Sequence, residues 1–329
     1  MDKYGHIMNR GMLLLLTAFL AGSRLCMGET VVSPSTAKLS EFLDLAKGEL
    51  RWLYEGRPLL VYAFASDQFK PYVRELYTLR GENVLRDAPA DHLHHHGLMY
   101  AIRLNGVNFW EERGDSGVGK SISIVSRKVG RGQDGRPEAS FTQVIHWVAF
   151  TNREVADSAP ITFMIEHRTL TLSVDGSAGE VALVWDARFE VGKHTPKLKL
   201  HGANYNGLGL RLPESFDKVA RFANSENSPY TGKQTQNVIP ASWTSVSGSK
   251  NGNDILLVLF GRSENAPGHG RFFTMTKPFA YLSVTQGLEQ KPLEYGAGDQ
   301  FRLRYLLTVY SEYKPREFIE RRAEAWRKN

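Results

Sequence analysis

The chain has 329 residues, 42% hydrophobic and 23% charged, with 30 Gly, 14 Pro and a single Cys. That balance excludes a disordered tail, a collagen-like fibre and a disulfide-stapled scaffold, and the length suffices for a sizeable core. A net charge of +6 without any Lys/Arg run is a weak footprint for nucleic acid, so no such partner is expected.

Residues 1–28 read as a signal peptide. Met8-Asn9-Arg10-Gly11 makes a short basic start, and Ala21, Gly22 and Ser23 are small. The apolar run Met12–Leu20 between them is shorter than the roughly 20 residues that span a bilayer. Cleavage is expected after Ser23 or Gly28; Cys26 follows Ser23-Arg24-Leu25 and so lacks the small residue that precedes a lipidated Cys. Removing residues 1–28 takes away Lys3, Arg10 and Arg24 with Asp2, which lowers the charge from +6 to +4 and leaves no Cys. The remainder, 29–329, reads as one domain, exported to the periplasm or beyond and free of the membrane once the leader is removed.

From there the chain is dominated by short alternating apolar and polar runs. Gly48–Tyr54 and Arg57–Phe64 flank Glu55-Gly56, and Leu98–Leu104 and Val107–Glu111 flank Asn105-Gly106, both hairpin signals. Tyr72–Leu79 lies between these hairpins. Ser121–Val129, Ser140–Asn152, Ile161–Val174 and Glu180–Val191 follow, with Asp175-Gly176 turning between the last two. Gly207–Arg211, Ser242–Val246, Ile255–Phe260, Arg271–Thr276, Ala280–Thr285 and Gln300–Tyr310 complete the strands. A short amphipathic helix begins at Pro315, with Phe318, Ile319, Arg322 and Trp326 on one face. So many strands with one terminal helix predict an all-β fold, a large antiparallel two-sheet sandwich.

Gly114–Ser121 spells the phosphate-cradling GxxxxGKS motif. That chemistry needs the loop to open a helix whose amides face the phosphates. Here the loop runs into the β-branched SISIVSRKV, and an inter-strand loop is the expectation.

The unusual segment is Arg86–Leu98, in which His92, His94, His95 and His96 crowd into five residues. Extended, it would project His92, His94 and His96 from one face and His95 from the other. Such a row can hold a divalent metal ion, bond sugar hydroxyls or move protons near neutral pH; it can also be a structural loop packed on aromatic rings.

The stretch DHLHHHGLMYAIRLNGVNFWEE resembles the DHPHHRGLWFAHGDVNGVDFW segment of the uncharacterised PmoA-like, or methane oxygenase-like, family. RPLLVY, IEHRTLTLSVDG, LVWDARFE, GLGLRLPES and GDQFRLRYLLTVY extend the resemblance over Gly48–Tyr310; His96 departs from it, standing where that family usually carries Arg. The resemblance implies a supersandwich similar to galactose mutarotases and a link to glycan breakdown. The mutarotase NHLHGG-like segment is similar to Asp91–Gly97, and their second histidine segment to His201–Asn206. Their catalytic Glu has no counterpart in Leu282-Ser283-Val284-Thr285-Gln286, which leaves Glu289 or Glu294 as loop substitutes.

Further candidates come from charge placement. Glu166 and Arg168 share a strand face, Asp186 and Arg188 repeat the spacing, and a hairpin would bring all four together as a polar pocket floor. Arg86 and Asp91 flank the histidines and can orient them. Glu111 or Glu112 can return beside them, Arg211 can bind a carboxylate or hydroxyl, and His269 sits in a PGHG loop. Trp52, Trp110, Trp147, Trp185 and Trp243 are expected in the core. The leading expectation is a carbohydrate-active enzyme performing hydrolysis, elimination or epimerisation. In it His92, His94, His95 and Glu166 do the chemistry, while Arg86, Asp91, His96, Arg168, Asp186, His201 and Arg211 hold the substrate. A non-catalytic glycan-binding protein and a metal-dependent oxygenase, with His92, His94 and His96 as ligands, are the alternatives.

Overall fold

A computed structural model describes residues 38–149, 160–228, 236–262, 264 and 270–328. The expected signal peptide, the end of the strand Ser140–Asn152 and His269 lie outside the described residues. Two antiparallel sheets dominate. The nine-stranded sheet runs, edge to edge, Leu39–Asp44, Glu49–Tyr54, Arg57–Ala63, Tyr72–Leu76, Leu98–Ala101, Gly207–Arg211, Tyr281–Thr285, Arg271–Met275 and Gln236–Pro240. The eight-stranded sheet runs Arg221–Asn224, Trp243–Lys250, Asn253–Phe260, Gln300–Tyr310, Glu180–Val191, Ile161–Asp175, Pro137–Ala149 and Val118–Arg131. A four-stranded sheet joins Leu293–Gly296, Lys197–His201, Arg103–Leu104 and Val107–Asn108.

The period-2 pattern explains the layering. Along Pro137–Ala149 the residues Ala139, Phe141, Gln143, Ile145, Trp147 and Ala149 are buried, and every second one is not. Phe141 meets Trp52 and Tyr62 of the other sheet at ring separations of 5.5 and 4.8 Å, and Phe189 meets Tyr100 at 5.5 Å. The inner faces thus share one core, as a sandwich requires. The helix Arg316–Lys328 covers part of the eight-stranded sheet's outer face, packing Ile319, Ala323 and Trp326 on Trp243, Val258 and Leu306. The outer face of the nine-stranded sheet carries a separate apolar layer, including Tyr72, Met99, Trp110, Phe273, Phe279 and Tyr281. No described helix is long and apolar enough to cross a membrane.

The hairpin signals hold. Glu55-Gly56 and Asn105-Gly106 both turn with positive φ (50° and 77°, 49° and 89°), as the tight strand-compatible turn demands. Gly114–Ser121 enters the strand Val118–Arg131 and no helix. Two expectations change. Leu98–Leu104 divides between two sheets, and five further strands (Leu39–Asp44, Lys197–His201, Arg221–Asn224, Gln236–Pro240, Leu293–Gly296) were not anticipated.

Candidate functional site

The histidine segment is not extended. The His92 amide donates to the Pro89 carbonyl at 2.9 Å, the His95 amide to the His92 carbonyl at 2.9 Å, and the Ala88 amide to the His95 carbonyl at 3.0 Å. These turns replace alternation with convergence. The His92 and His95 rings stack at 4.6 Å, and His94 meets His95 edge-on at 4.6 Å. His96 leaves the group and stacks on Tyr72 at 4.1 Å. Its Nδ1 faces Asp87 Oδ1 at 2.7 Å, and its Nε2 faces Glu112 Oε1 at 2.9 Å. Lys70 Nζ donates to the same Glu112 oxygen at 2.6 Å and to the Trp110 carbonyl at 3.2 Å. Burial works against the His96 charge, but its two carboxylate partners hold its pKa above the ordinary value. Glu112, which burial would push up, is held down to about 2 by its hydrogen bond from His96 and the charge of Lys70.

The three converging histidines line one wall of a cleft of ≈ 520 Å³ on the outer face of the nine-stranded sheet. Trp110, Tyr205, Phe273, Met275, Phe279 and Tyr281 line its apolar side, with Asp91, Glu111, Arg113 and Gln236 at the polar margin. The Phe279 ring lies 4.9 Å from His92 and 5.3 Å from His95. Burial, then the neighbouring His94, His92 and Arg211 charges, push His95 down to about 3. His94 is lowered too, by burial and by Lys70. Both imidazoles are therefore neutral near pH 7, each offering one donor and one acceptor.

Three side chains in or next to the cleft keep polar atoms without a partner. His95 Nδ1, Tyr281 Oη and the Arg211 nitrogens Nε and Nη1 are buried without a hydrogen bond. Arg211 spends only Nη2, on Asp91 Oδ2 at 3.3 Å, while Asp91 also bonds His92 Nδ1 at 3.0 Å. Burial of Asp91 opposes its charge, but the His92 hydrogen bond and the Arg211 charge prevail and lower its pKa. Buried polar atoms are nearly always paired in native proteins, so the unpaired ones around this cleft are available to a ligand or to water.

The remaining predicted residues lie elsewhere. Glu166 and Arg168 are 0% and 1% exposed, inside the sandwich. Arg168 donates to both Glu166 oxygens (2.7 and 2.9 Å), to Tyr62 Oη at 3.1 Å and to the Pro71 carbonyl at 2.7 Å, and Trp147 Nε1 completes the Glu166 shell at 2.9 Å. Asp186 and Arg188 point the other way. The register sets Glu166 opposite Phe189 and Thr169 opposite Asp186, so the four charges divide between two faces and form no common floor. Asp186 pairs with Arg302 and, at 3.4 Å, with Arg304. Arg86 faces Glu214 and Asp217 at 3.5 and 3.7 Å. His201 accepts the Gly106 amide at 2.9 Å and so braces the Asn105-Gly106 turn. Among the described residues no group of three or more His, Cys, Asp and Glu is placed to hold a metal ion. The anticipated set His92, His94 and His96 does not converge, because both His96 nitrogens face carboxylates.

A model of a family of unknown function, DUF6807, matches residues 49–324. The chain belongs to DUF6807. The methane oxygenase-like resemblance has no counterpart in that family's description. No curated relative matches the chain in sequence. Among solved structures, the chain is similar to the GH36 alpha-galactosidase AgaB from Geobacillus stearothermophilus at 10% identity and a TM-score of 0.46, covering 86% of this chain and 41% of that one. It is similar to the galactosidase domain of the alpha-galactosidase-sucrose kinase AgaSK at 11% identity and a TM-score of 0.40, covering 86% and 42%. For a TPR-domain containing protein from Parabacteroides distasonis the values are 10%, 0.44, and 81% and 48%. The DUF6807 chain thus spans under half the length of each of these chains.

In this DUF6807 chain, sequence reasoning missed the aromatic wall. Phe273, Phe279 and Tyr281 sit on or beside strands buried on both faces, so the site face carries no polar signal that separates it from core. Trp52, Trp110, Trp147, Trp185 and Trp243 are all buried as expected, and Trp110 also lines the cleft.

Proposed function

We propose that this protein is carbohydrate-active, taking a sugar or short oligosaccharide into the His92–His94–His95 cleft. One observation carries the reading: unpaired buried donors and acceptors (His95 Nδ1, Tyr281 Oη, Arg211 Nε and Nη1) lie in or next to a cleft walled by Trp110, Tyr205 and Phe273. A sugar presents the complement, hydroxyls in fixed directions around an apolar ring face. In the enzymatic form of the proposal His94 accepts or returns a proton, in an epimerisation, elimination or hydrolysis, with Glu111 as the nearby carboxylate. His95 is too acidic as an imidazolium to shuttle protons near neutrality, and it serves as a hydrogen-bonding partner.

That neutrality favours a second reading, plain saccharide binding without turnover. Calorimetry and product analysis over a saccharide panel separate the two. Catalysis requires a ligand that is converted, with conversion lost and binding kept in His94→Gln. Binding without conversion leaves the second reading, and no binding in the panel overturns both. An exported setting, supported by the basic and apolar leader at Met8–Ser23, is checked by sequencing the mature N-terminus of the expressed protein.

A further inference from the structure

We propose that the saccharide bears a carboxylate, as a uronic acid residue does, and that Arg211 reads it; this rests on the saccharide reading above. Arg211 ends the strand Gly207–Arg211 on the cleft side of the sheet, opposite Tyr281 in register. It is 1% exposed, and its one acceptor is Asp91 at a long 3.3 Å. A guanidinium taken out of water with two of its three nitrogens unpaired is poorly compensated, and a charge-assisted hydrogen bond from an incoming carboxylate supplies what is missing.

The surroundings fit an exchange. Asp91 is 47% exposed and is shared between Arg211 and His92. It can keep His92 and release Arg211 when a ligand carboxylate arrives, so it occupies the position of the ligand's charge in the free protein. Phe279 lies across the guanidinium at 3.5 Å and lines the cleft, so it must turn aside for the ligand to reach Nη1. Of the other nearby charges, Asp217 attracts Arg211 without a hydrogen bond to it. Arg86 is turned to Glu214 and Asp217, and Glu111 is held by Arg113 at 3.0 Å. A neutral sugar hydroxyl can accept from Arg211 but leaves its charge uncompensated, which a carboxylate does not.

The test is calorimetric titration of wild type with uronic acid oligosaccharides, each beside its carboxyl-reduced neutral counterpart. The acidic member is expected to bind tighter by about tenfold or more, and Arg211→Gln is expected to bring the two affinities together. Asp91→Asn, at a position 47% exposed, removes the competing charge and is expected to tighten acidic ligands several-fold even if Arg211→Gln fails to fold. Equal wild-type affinity for acidic and neutral members, or weaker acidic binding in Asp91→Asn, overturns the carboxylate inference and leaves the saccharide reading standing. Binding of neither member overturns the saccharide reading itself, and this inference with it.

Discussion

Arg168 and Arg211 are each 1% exposed, and each lies against an aromatic ring, Trp185 at 4.3 Å and Phe279 at 3.5 Å. Their hydrogen bonding separates them. Arg168 has both Glu166 oxygens, the Tyr62 hydroxyl and the Pro71 carbonyl, and its three nitrogens are all engaged. Arg211 has one oxygen of Asp91 and two idle nitrogens. Burial alone therefore says little about the role of a charged residue. A saturated buried ion belongs to the scaffold, and an unsaturated one beside a cleft points to a missing partner.

The largest expected effect tests the saturated member. Arg168→Met leaves Glu166 uncompensated inside the core and is expected to cost about 3–5 kcal/mol by denaturant unfolding. Arg211→Met should stay within about 1 kcal/mol of wild type, since an apolar side chain often replaces an underpaired ion without loss. Equal costs at the two positions would break the comparison.

Gly209→Ala comes next. Its added Cβ would lie 1.7 Å from Tyr281 Oη, so the buried phenol must move, at about 2 kcal/mol of overpacking. Thermal unfolding reads that cost, and calorimetry reads a parallel loss of saccharide affinity; unchanged affinity would remove Tyr281 from the site. Trp110→Leu loses the ring, which should weaken saccharide binding about tenfold, or about 1.4 kcal/mol. It also leaves a void at a side chain only 3% exposed, so a stability loss of similar size should accompany it.

An effect spread over pH, with no single substitution behind it, concerns His96 and Glu112. The His96 pKa is raised, so its contribution is complete below the ordinary histidine value and fades as pH rises through the shifted one. Glu112 is held at about 2, so its contribution is present above the ordinary carboxylate value and is lost as pH falls toward 2. Stability measured against pH should show both shoulders, the acid one worth about 3 kcal/mol for a shift from 4.5 to about 2. His96→Gln should flatten the alkaline one, and Glu112→Gln should flatten the acid one.

Much of the fold was legible because alternation and turn dipeptides are local signals. Glu180–Val191, Gly207–Arg211 and Gln300–Tyr310 fall where the pattern placed them, and the helix follows Pro315. Leu39–Asp44 escaped because its inward positions include Glu41, paired with Trp52 and Arg127, which breaks the apolar alternation. Gln236–Pro240 escaped because a five-residue edge strand ending in Pro carries little pattern. The histidine cluster was legible as chemistry but not as geometry. Turns anchored at Pro89 and His92 bring His95 to His92 and send His96 to Asp87, whereas an extended reading separates His95 from the rest. The parity that divides Glu166 from Asp186 depends on strand register, which is set by a turn several residues away and is invisible in spacing alone.

The strand Gln300–Tyr310 lies between Glu180–Val191 and Asn253–Phe260 and pairs with both. Until it arrives, the eight-stranded sheet exists only as two unjoined groups, each exposing backbone edges. A nascent chain emerging from the ribosome therefore cannot close this sandwich until nearly all of the sequence described here has been made. That keeps the polypeptide threadable for most of its synthesis, and it exposes those edges to mispairing for the same interval.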